Sequence, residues 1–541
     1  MSHIIDNHRS AKFARLAAPF LLPLLLLLLC PPAVQAAAPG ITGTTFNLNA
    51  ADSTISQPDG MNVYSWGYGC STAPSGFSPA GMPGAACPSM QVPGPTLIVH
   101  QGDRVTLVLT NNLPAAAGNT SILFPGFNVC TAVMNPDGSC PATPTGVPGL
   151  LTREAAHGGS VTYSFIASTA GTHSYYSGTQ SDLQIEMGLY GAIIVLPTAV
   201  PAGCRAVAAT LPDGQPDYRN AAAAYNHSAS CYDREYLFQF AEMDPRIHSQ
   251  AQQQAGVACA QSTGCMVVET EPYHPAYFLI NGRSMPDDMD PNYAVQYPHQ
   301  PYNGNPHMHP GELVLLRVIG NGRWQHPFHE HGNHVRILAR DGNLLLSQTD
   351  PTKPAGPLLF TTTTTPGLAM DGIFYWTGRG LNWDVYGHTA GALYTDQAFP
   401  AYLGKPVVCI PDANGYYTAD PLAPNYYEWC QDHDKPLEAH AFGAVGSGGP
   451  VTLPDANILT DGFWYGGSPY LGPDATARAV GPASSIPPNN TQANPSKSEA
   501  GFAFMWHSHN EREITTSNIF PGGMMMMMLV DPQAFLINEA N

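Results

Sequence analysis

Charged residues are scarce in this chain of 541 residues, and positive charge is the scarcer kind. Asp, Glu, Lys and Arg together make up 11% of the residues, with 40 acidic and 21 basic side chains and a formal net charge of −19. No run of Lys or Arg occurs along the chain. Because nucleic acids and anionic membrane surfaces are bound through clustered positive charge, the composition disfavours both as partners.

The only long apolar run lies at the start of the sequence. Within residues 1–36, the basic residues Arg9, Lys12 and Arg15 precede the segment LAAPFLLPLLLLLL, and the small-residue pattern AVQA follows it. This order is typical of a signal peptide, with the mature chain beginning near Ala37. No later stretch reaches the roughly 20 apolar residues that cross a bilayer. The sequence therefore predicts an exported protein, periplasmic or extracellular, without a membrane span.

Ten cysteines follow the predicted signal peptide, and none of them lies beside a group of histidines. Export would place these cysteines in an oxidising compartment, which favours disulfides. A sequence alone leaves the connectivity open. The natural interpretation is five bridges between neighbours in sequence: Cys70 with Cys87, Cys130 with Cys140, Cys204 with Cys231, Cys259 with Cys265, and Cys409 with Cys430.

Helical periodicity is nearly absent, whereas strand patterns are frequent. The segment PTLIVHQGDRVTLVLTNN alternates apolar and polar residues around a Gly-Asp turn, which predicts two strands. GSVTYSFIA and GLYGAIIVLP predict two more. The 53 glycines and 52 prolines suit short strands joined by many turns and by long irregular loops.

The same order of elements occurs twice, which indicates an internal repeat. GDRVTLVLTN in the first half matches GELVLLRVIGN in the second, and GLYGAIIVLP matches GGMMMMMLVDP. The repeat predicts an all-β chain with two Greek-key β-sandwich domains, at about 41–200 and 205–535. The second domain is longer because an irregular insert, about 378–500, interrupts it.

Five consecutive methionines, Met524–Met528, lie in the last predicted strand. They could form a patch for a soft metal ion. Alternate residues of a strand face opposite sides of the sheet, however, so packing in the core is the favoured interpretation.

Two short segments are rich in histidine: HPFHEHGNH at 326–334 and WHSHNERE at 506–513. Each contains a pair of histidines two residues apart: His329 with His331, and His507 with His509. Residues two apart share one face of a strand, so four imidazoles would converge if the two strands are neighbours. Imidazoles without a thiolate favour copper or zinc. The alternative is that these histidines are exposed to solvent or hydrogen-bonded in the core.

HPFHEHG resembles the third copper motif of the multicopper oxidases, H-P-x-H-x-H-G, and FMWHSHNERE followed by PGGMM resembles their fourth, H-C-H-x-x-x-H followed by Gly-Met. VPGPTLIVHQGDRVTLVLTNNL and GTHSYYSGTQSDLQIEMGLYGAIIV are similar to segments of their first domain. The resemblance covers most of residues 41–200 and 270–535 apart from the insert. It implies tandem cupredoxin-like β-sandwiches, copper cofactors and an oxidoreductase activity.

The resemblance also implies which residues would bind copper. The third motif of the family supplies one ligand each to the type 1, type 2 and type 3 centres, which correspond here to His326, His329 and His331. The outer histidines of the fourth motif bind the type 3 centre, and they correspond to His507 and His509.

Several of the family's ligands are replaced in this chain. Ser508 stands at the type 1 cysteine, and Glu513 stands at the second type 1 histidine. The family's H-W-H-G and Y-H-S-H are Leu-Phe-Pro-Gly at 123–126 and Tyr-Tyr-Ser-Gly at 175–178. A serine hydroxyl cannot replace a thiolate as a copper ligand. We therefore expect no blue type 1 copper, fewer than four coppers per chain and no ordinary four-copper laccase reaction.

Two functions stay open. The first is an exported copper-binding protein of this family with oxidoreductase chemistry at a reduced, type 2-like and non-blue site, formed by His329, His331, His507 and His509. Its substrate would be a small molecule or a metal ion, and its catalytic residues are not identifiable. The second is a non-catalytic cupredoxin scaffold that stores or delivers metal or binds a macromolecule. A homotrimer is open because short two-domain members of the family complete their clusters between subunits.

Other candidates lie near these motifs. His326 and Glu513 could bind a second, harder metal ion, but a charged hydrogen bond between them is favoured. His334 lies on the opposite face of the strand from His331 by parity and is predicted to be structural.

Two further groups of residues could contribute ligands. His307 and His309 in PHMHPGE form another pair, for which a solvated surface position is favoured over a copper-acquisition patch. His173, Tyr175 and Tyr176 lie where ligands of the first domain would approach the cluster, and they could complete a site.

Overall fold

The computed structural model describes residues 38–210, 217–260, 264–309, 311–376, 393, 401–413, 417–423, 430, 467–470, 476–477, 492–493, 501–531 and 535–537. The predicted signal peptide at 1–36 and most of the predicted insert at 378–500 lie outside the described residues. No helix among the described residues is long and apolar enough to cross a membrane.

The first eleven strands belong to residues 40–196. They are β1 (Gly40–Thr42), β2 (Thr45–Ser56), β3 (Asn62–Cys70), β4 (Gly76–Ser78), β5 (Leu97–His100), β6 (Arg104–Asn111), β7 (Val147–Pro148), β8 (Arg153–Glu154), β9 (Ser160–Ile166), β10 (Gly171–Tyr176) and β11 (Tyr190–Leu196). One sheet has the order β10-β11-β5-β1-β4 and a second has the order β3-β2-β6-β9. β7 and β8 pair with each other.

The remaining strands of the described residues follow residue 233. They are β12 (Arg234–Met243), β13 (Tyr277–Ile280), β14 (His307–Met308), β15 (Leu313–Gly320), β16 (His326–Glu330), β17 (Val335–Arg340), β18 (Asn343–Leu344), β19 (Leu358–Leu359), β20 (Thr361–Thr364), β21 (Ala369–Tyr375), β22 (Gly467–Tyr470), β23 (Thr476–Ala477), β24 (Gln492–Ala493), β25 (Gly501–Ser508) and β26 (Met525–Val530). One sheet runs β13-β12-β15-β21-β17-β18, with β19 beside β17. Another runs β14-β26-β25-β16-β20, with β22 beside β25, and β23 pairs with β24.

The all-β class expected from the sequence is confirmed. The described residues include only two short α-helices, α1 (Ser181–Gln184) and α2 (Pro245–Gln254). In β6 the alternation read from the sequence is also seen, because Val105, Leu107 and Leu109 are fully buried and their neighbours are partly exposed. The domain boundaries at 41–200 and 205–535 stay a prediction.

Each pair of large sheets encloses an apolar core. In the N-terminal part, Leu107 of β6 and Val195 of β11 belong to one buried cluster that draws on both sheets. In the C-terminal part, Phe238 of β12 and Phe504 of β25 do the same. The structure is therefore built from face-to-face sheets that bury apolar side chains between them, which is a β-sandwich arrangement.

The methionine run fills the second core. Met524, Met526 and Met528 are buried in the same apolar cluster as Trp506, and Met526 lies opposite Trp506 in the antiparallel pair of β25 and β26. The packing interpretation of these methionines is confirmed.

All five disulfides expected from the cysteine couples are present: Cys70–Cys87, Cys130–Cys140, Cys204–Cys231, Cys259–Cys265 and Cys409–Cys430.

Candidate metal centre

The two histidine-rich segments lie on neighbouring strands of one sheet. β16 runs antiparallel to β25 on one side and to β20 on the other. In this register His329 is directly opposite His507. Directly opposed residues of an antiparallel pair project to the same face, so the sequence pattern and the strand order together place both imidazoles on one side of the sheet.

The four imidazoles of the two pairs converge, and we call them the histidine cluster: His329, His331, His507 and His509. From the ring centre of His329, the other three lie at 4.9, 5.5 and 4.7 Å in that order. The Nε2 atoms of His331 and His507 are 3.2 Å apart.

Three members of the cluster are buried, and one is not. The potential ligand atoms of His329, His331 and His507 all lie within 4.8 Å of one another, which one metal ion could bridge. The side chain of His509 is 48% exposed and lies 3.3 Å from the carboxylate of Glu511. The arrangement is therefore a buried triad of imidazoles with a fourth at its solvent edge.

Hydrogen bonds orient two of the buried rings. Nδ1 of His329 lies 2.6 Å from the hydroxyl of Thr361, and Nδ1 of His507 lies 2.7 Å from the carbonyl oxygen of Ser508. Because Nδ1 is engaged in both rings, Nε2 is the nitrogen that each can offer to a metal ion.

The surroundings of the cluster disfavour protonation. Burial, followed by the neighbouring imidazoles, lowers the pKa of His329 to about 3, although the backbone of Phe360 opposes the shift. Burial also lowers the pKa of His507. Both rings are thus neutral near pH 7, and a neutral imidazole is the form that binds metal ions.

His326 occupies a different environment, between two buried carboxylates. Its Nδ1 lies 2.8 Å from Glu513 and its Nε2 lies 2.9 Å from Glu242, and all three side chains are buried. The hydroxyl of Ser508 also donates to Glu513. We call His326, Glu242 and Glu513 the carboxylate clamp.

The clamp holds a charged imidazole. Burial alone would lower the pKa of His326, but the hydrogen bonds and charges of Glu242 and Glu513 outweigh burial and raise it to about 9. The two carboxylates approach opposite nitrogens of the same ring. A single metal ion cannot contact all three groups in this geometry. The contacts are instead those of a charged hydrogen bond between His326 and Glu513, with Glu242 as a second partner.

Sequence reasoning missed Glu242 and Thr361. Glu242 lies in the apolar run of β12, and its carboxylate also accepts hydrogen bonds from the backbone N–H groups of Arg323 and Trp324. An acidic residue within an apolar strand was the available signal, because a buried carboxylate requires partners. Thr361 is hidden in a run of five threonines, and no sequence pattern distinguishes it from the other four.

The surface interpretation of His307 and His309 is wrong. Both residues are buried, at 3% and 0% exposure. His307 Nδ1 lies 2.7 Å from Asp531, and His309 Nε2 donates to the carbonyl oxygen of Phe535. Through these contacts the two histidines connect β14 to the segment that follows β26. The Pro- and Gly-rich sequence around the histidines does not indicate this packing.

The remaining candidates have other contacts. His334 is exposed, and its ring centre lies 5.0 Å from that of Phe360. His173 is buried, and its Nε2 donates to the carbonyl oxygen of Thr169. Tyr175 is also buried and donates to the carbonyl oxygen of Pro95.

Comparison with known proteins finds one family match within the described residues. Residues 87–199 match the family model described as multicopper oxidase. This segment is therefore similar to the multicopper oxidases. The matched segment excludes both histidine-rich segments, so this similarity does not depend on them. Copper is the metal that the family implies.

Two curated relatives are similar to part of the chain. A multicopper oxidase named CTB12 from Cercospora beticola is 36% identical over 104 residues, which are 19% of this chain and 14% of the relative. Laccase-1 from Emericella nidulans is 33% identical over 123 residues, which are 22% of this chain and 17% of the relative. The matches thus span less than a fifth of the length of either relative.

Two solved structures are similar over most of the chain at low sequence identity. The blue copper oxidase from Nitrosomonas europaea has a TM-score of 0.43 and 16% identity, and the match covers 90% of this chain and 85% of that one. The multicopper oxidase mgLAC has a TM-score of 0.42 and 16% identity, with 90% and 86% covered.

Proposed function

We propose that this chain is a member of the multicopper oxidase family and an exported copper-binding oxidoreductase with one type 2-like, non-blue copper site. The observation that carries the proposal is the buried triad of imidazoles, His329, His331 and His507, with ligand atoms within 4.8 Å of one another. A set of three imidazoles with room for a fourth donor suits a copper ion. The five disulfides support export.

The first-domain positions that correspond to copper ligands of the family favour one copper ion over the family's usual four. At the positions of the missing first-domain ligands this chain has Leu123, Pro125, Tyr176 and Gly178. Leu123 and Tyr176 form an antiparallel bridge, with a hydrogen bond of 2.7 Å between their backbones. A Cβ atom at Gly178 would lie only 2.8 Å from Cγ of Leu123. Leu123 thus contacts both Tyr176 and Gly178, and none of the four positions provides an imidazole.

Each residue of the proposed site has a separate task. His329, His331 and His507 would hold the ion through one nitrogen each, and His509 at the solvent edge would complete the site or leave a position open for substrate. The ring of Phe360, which is 50% exposed, lies edge-on to His329 and covers one side of it. When bound, copper would supply one-electron redox chemistry toward a small molecule or a metal ion.

Metal analysis tests the proposal directly. The purified, copper-loaded protein is expected to hold about one copper ion per chain, because the cluster offers one set of three or four imidazoles. Its electron paramagnetic resonance spectrum should show nitrogen ligation. Its visible spectrum should lack the strong absorption of a copper–thiolate bond. Three or four ions per chain, or an intense blue colour, would contradict the proposal.

A second candidate function is metal storage or delivery without catalysis. The exposure of His509 favours it, because an accessible imidazole could pass an ion to a partner. Oxygen uptake distinguishes the two functions. Sustained consumption of dioxygen with phenolic or metal-ion substrates, dependent on copper, would rule out the storage function. Its complete absence from a copper-loaded protein would rule out the oxidase.

Restoring the family's cysteine should not restore the blue centre. We expect the Ser508→Cys variant to remain without intense visible absorption, because the position of the second type 1 histidine is Glu513 and His326 is held by two carboxylates. Visible spectroscopy of the copper-loaded variant checks this, with a thiol assay as the control for a reduced cysteine. A strong blue band would mean that the carboxylate clamp opens for copper.

A further inference from the structure

The strand β20 is a run of threonines that divides its hydroxyl groups between two faces. Thr362 and Thr364 are buried on the core side, and the hydroxyl of Thr362 donates to the carboxylate of Glu330. Thr361 is directly opposite His329 and faces the histidine cluster. Its hydroxyl lies 2.6 Å from Nδ1 of His329. One threonine of the run therefore touches a ring of the proposed site.

The two engaged imidazoles of the cluster differ in what holds them. Nδ1 of His507 lies beside a carbonyl oxygen, which can only accept a hydrogen bond. His507 must therefore carry its proton on Nδ1. The hydroxyl of Thr361 can either accept or donate, so by itself it permits both tautomers of His329, and the backbone of Phe360 also hydrogen-bonds to this ring. Only the tautomer with the proton on Nδ1 leaves Nε2 able to bind a metal ion.

We propose that Thr361 is a positioning residue, whose hydroxyl accepts the Nδ1 proton of His329 and thereby directs Nε2 toward His331 and His507. This inference rests on the metal site proposed above. The short distance fixes the ring as well as the tautomer, because the hydroxyl is attached to a neighbouring strand rather than to a mobile loop. Partners of this kind that orient a metal-binding histidine typically contribute 10- to 100-fold to metal affinity.

The chain offers a matched set of variants. Thr361→Val keeps the size and shape of the side chain and removes the hydroxyl, whereas Thr361→Ser keeps the hydroxyl. Thr363 lies two residues further along the same strand, is exposed and is opposite Pro327 rather than a histidine. Thr363→Val is therefore the control for loss of a threonine hydroxyl on this strand.

Copper(II) affinity, measured by competition with a chelator, is expected to fall by about 10- to 100-fold in Thr361→Val. Thr361→Ser should bind copper nearly as well as the unchanged protein, and Thr363→Val should bind it equally well. Equal affinity in Thr361→Val would overturn the proposal. Tighter binding would do so too, because it would mean that the hydroxyl donates and stabilises the wrong tautomer.

Nitrogen-15 chemical shifts of the imidazoles in the metal-free protein provide a second measurement. The signals of His329 should report a proton on Nδ1 in the unchanged protein and in Thr361→Ser, and a smaller population of this tautomer in Thr361→Val. This result does not require copper to bind. If the chain proved unable to bind copper, the metal site would be refuted while the tautomer measurement still decided the role of Thr361. Unchanged His329 signals in Thr361→Val would refute that role.

Discussion

Replacing His329 and His507 together with alanine is expected to abolish stoichiometric copper binding. The two residues lie opposite each other on β16 and β25 and supply two of the three buried imidazoles. The variant would retain only His331 and the half-exposed His509, whereas mononuclear sites of this type use three or four protein ligands. Copper content per chain and the electron paramagnetic resonance spectrum measure the loss.

His334→Ala is the matched control for this experiment. His334 belongs to the same histidine-rich segment, but its side chain is exposed and contacts Phe360. This variant should keep the full copper content. Circular dichroism would show whether the double variant is folded. A folded double variant with full copper content would refute the site.

The carboxylate clamp makes the second large prediction, which concerns stability. In the His326→Gln variant the positive charge between Glu242 and Glu513 is lost, and two buried carboxylates face each other without it. Removing one partner of a buried ion pair typically costs about 3–5 kcal/mol of unfolding free energy. Urea unfolding at pH 6 measures this cost, with the exposed His334→Gln as the control.

The clamp also predicts how stability depends on pH. The pKa of His326 is raised from 6.5 to about 9 in the folded state. The contribution of protonated His326 to the free energy of unfolding is therefore complete below about pH 6.5, declines as the pH rises from there, and is lost above about pH 9. A shift of this size corresponds to about 3 kcal/mol. His326→Gln should lack this decline, and an unchanged pH profile in the variant would show that His326 is not the group responsible.

Much of the histidine cluster could be predicted because it depends on local parity. The spacing of His329 and His331, and of His507 and His509, determines a shared face wherever each segment is extended. The sequence did not show that β16 and β25 are neighbours, and this pairing is seen only in the structure. The all-β class and the disulfide couples were predictable for a similar reason, since both depend on short-range patterns.

The residues that surround the cluster were not predictable because they come from distant parts of the chain. Glu242 reaches His326 from β12, and nothing in the sequence gives the separation of these strands in space. Thr361 depends on a register between β16 and β20 that a run of identical residues cannot specify. His307 and His309 were mistaken for surface residues because the prolines and glycines that flank them are typical of exposed loops. The parallel pairing of β14 with β26, which buries them, cannot be seen in the sequence.

The contact between Leu123 and Gly178 couples these two positions of the N-terminal part. Gly178→His alone would bring a new Cβ atom within 2.8 Å of Cγ of Leu123, so the leucine side chain would have to shift. A smaller side chain at position 123 would relieve this crowding. Placing an imidazole at position 178 therefore calls for a paired substitution, and redesign of metal binding in this protein is simpler at the C-terminal histidine cluster.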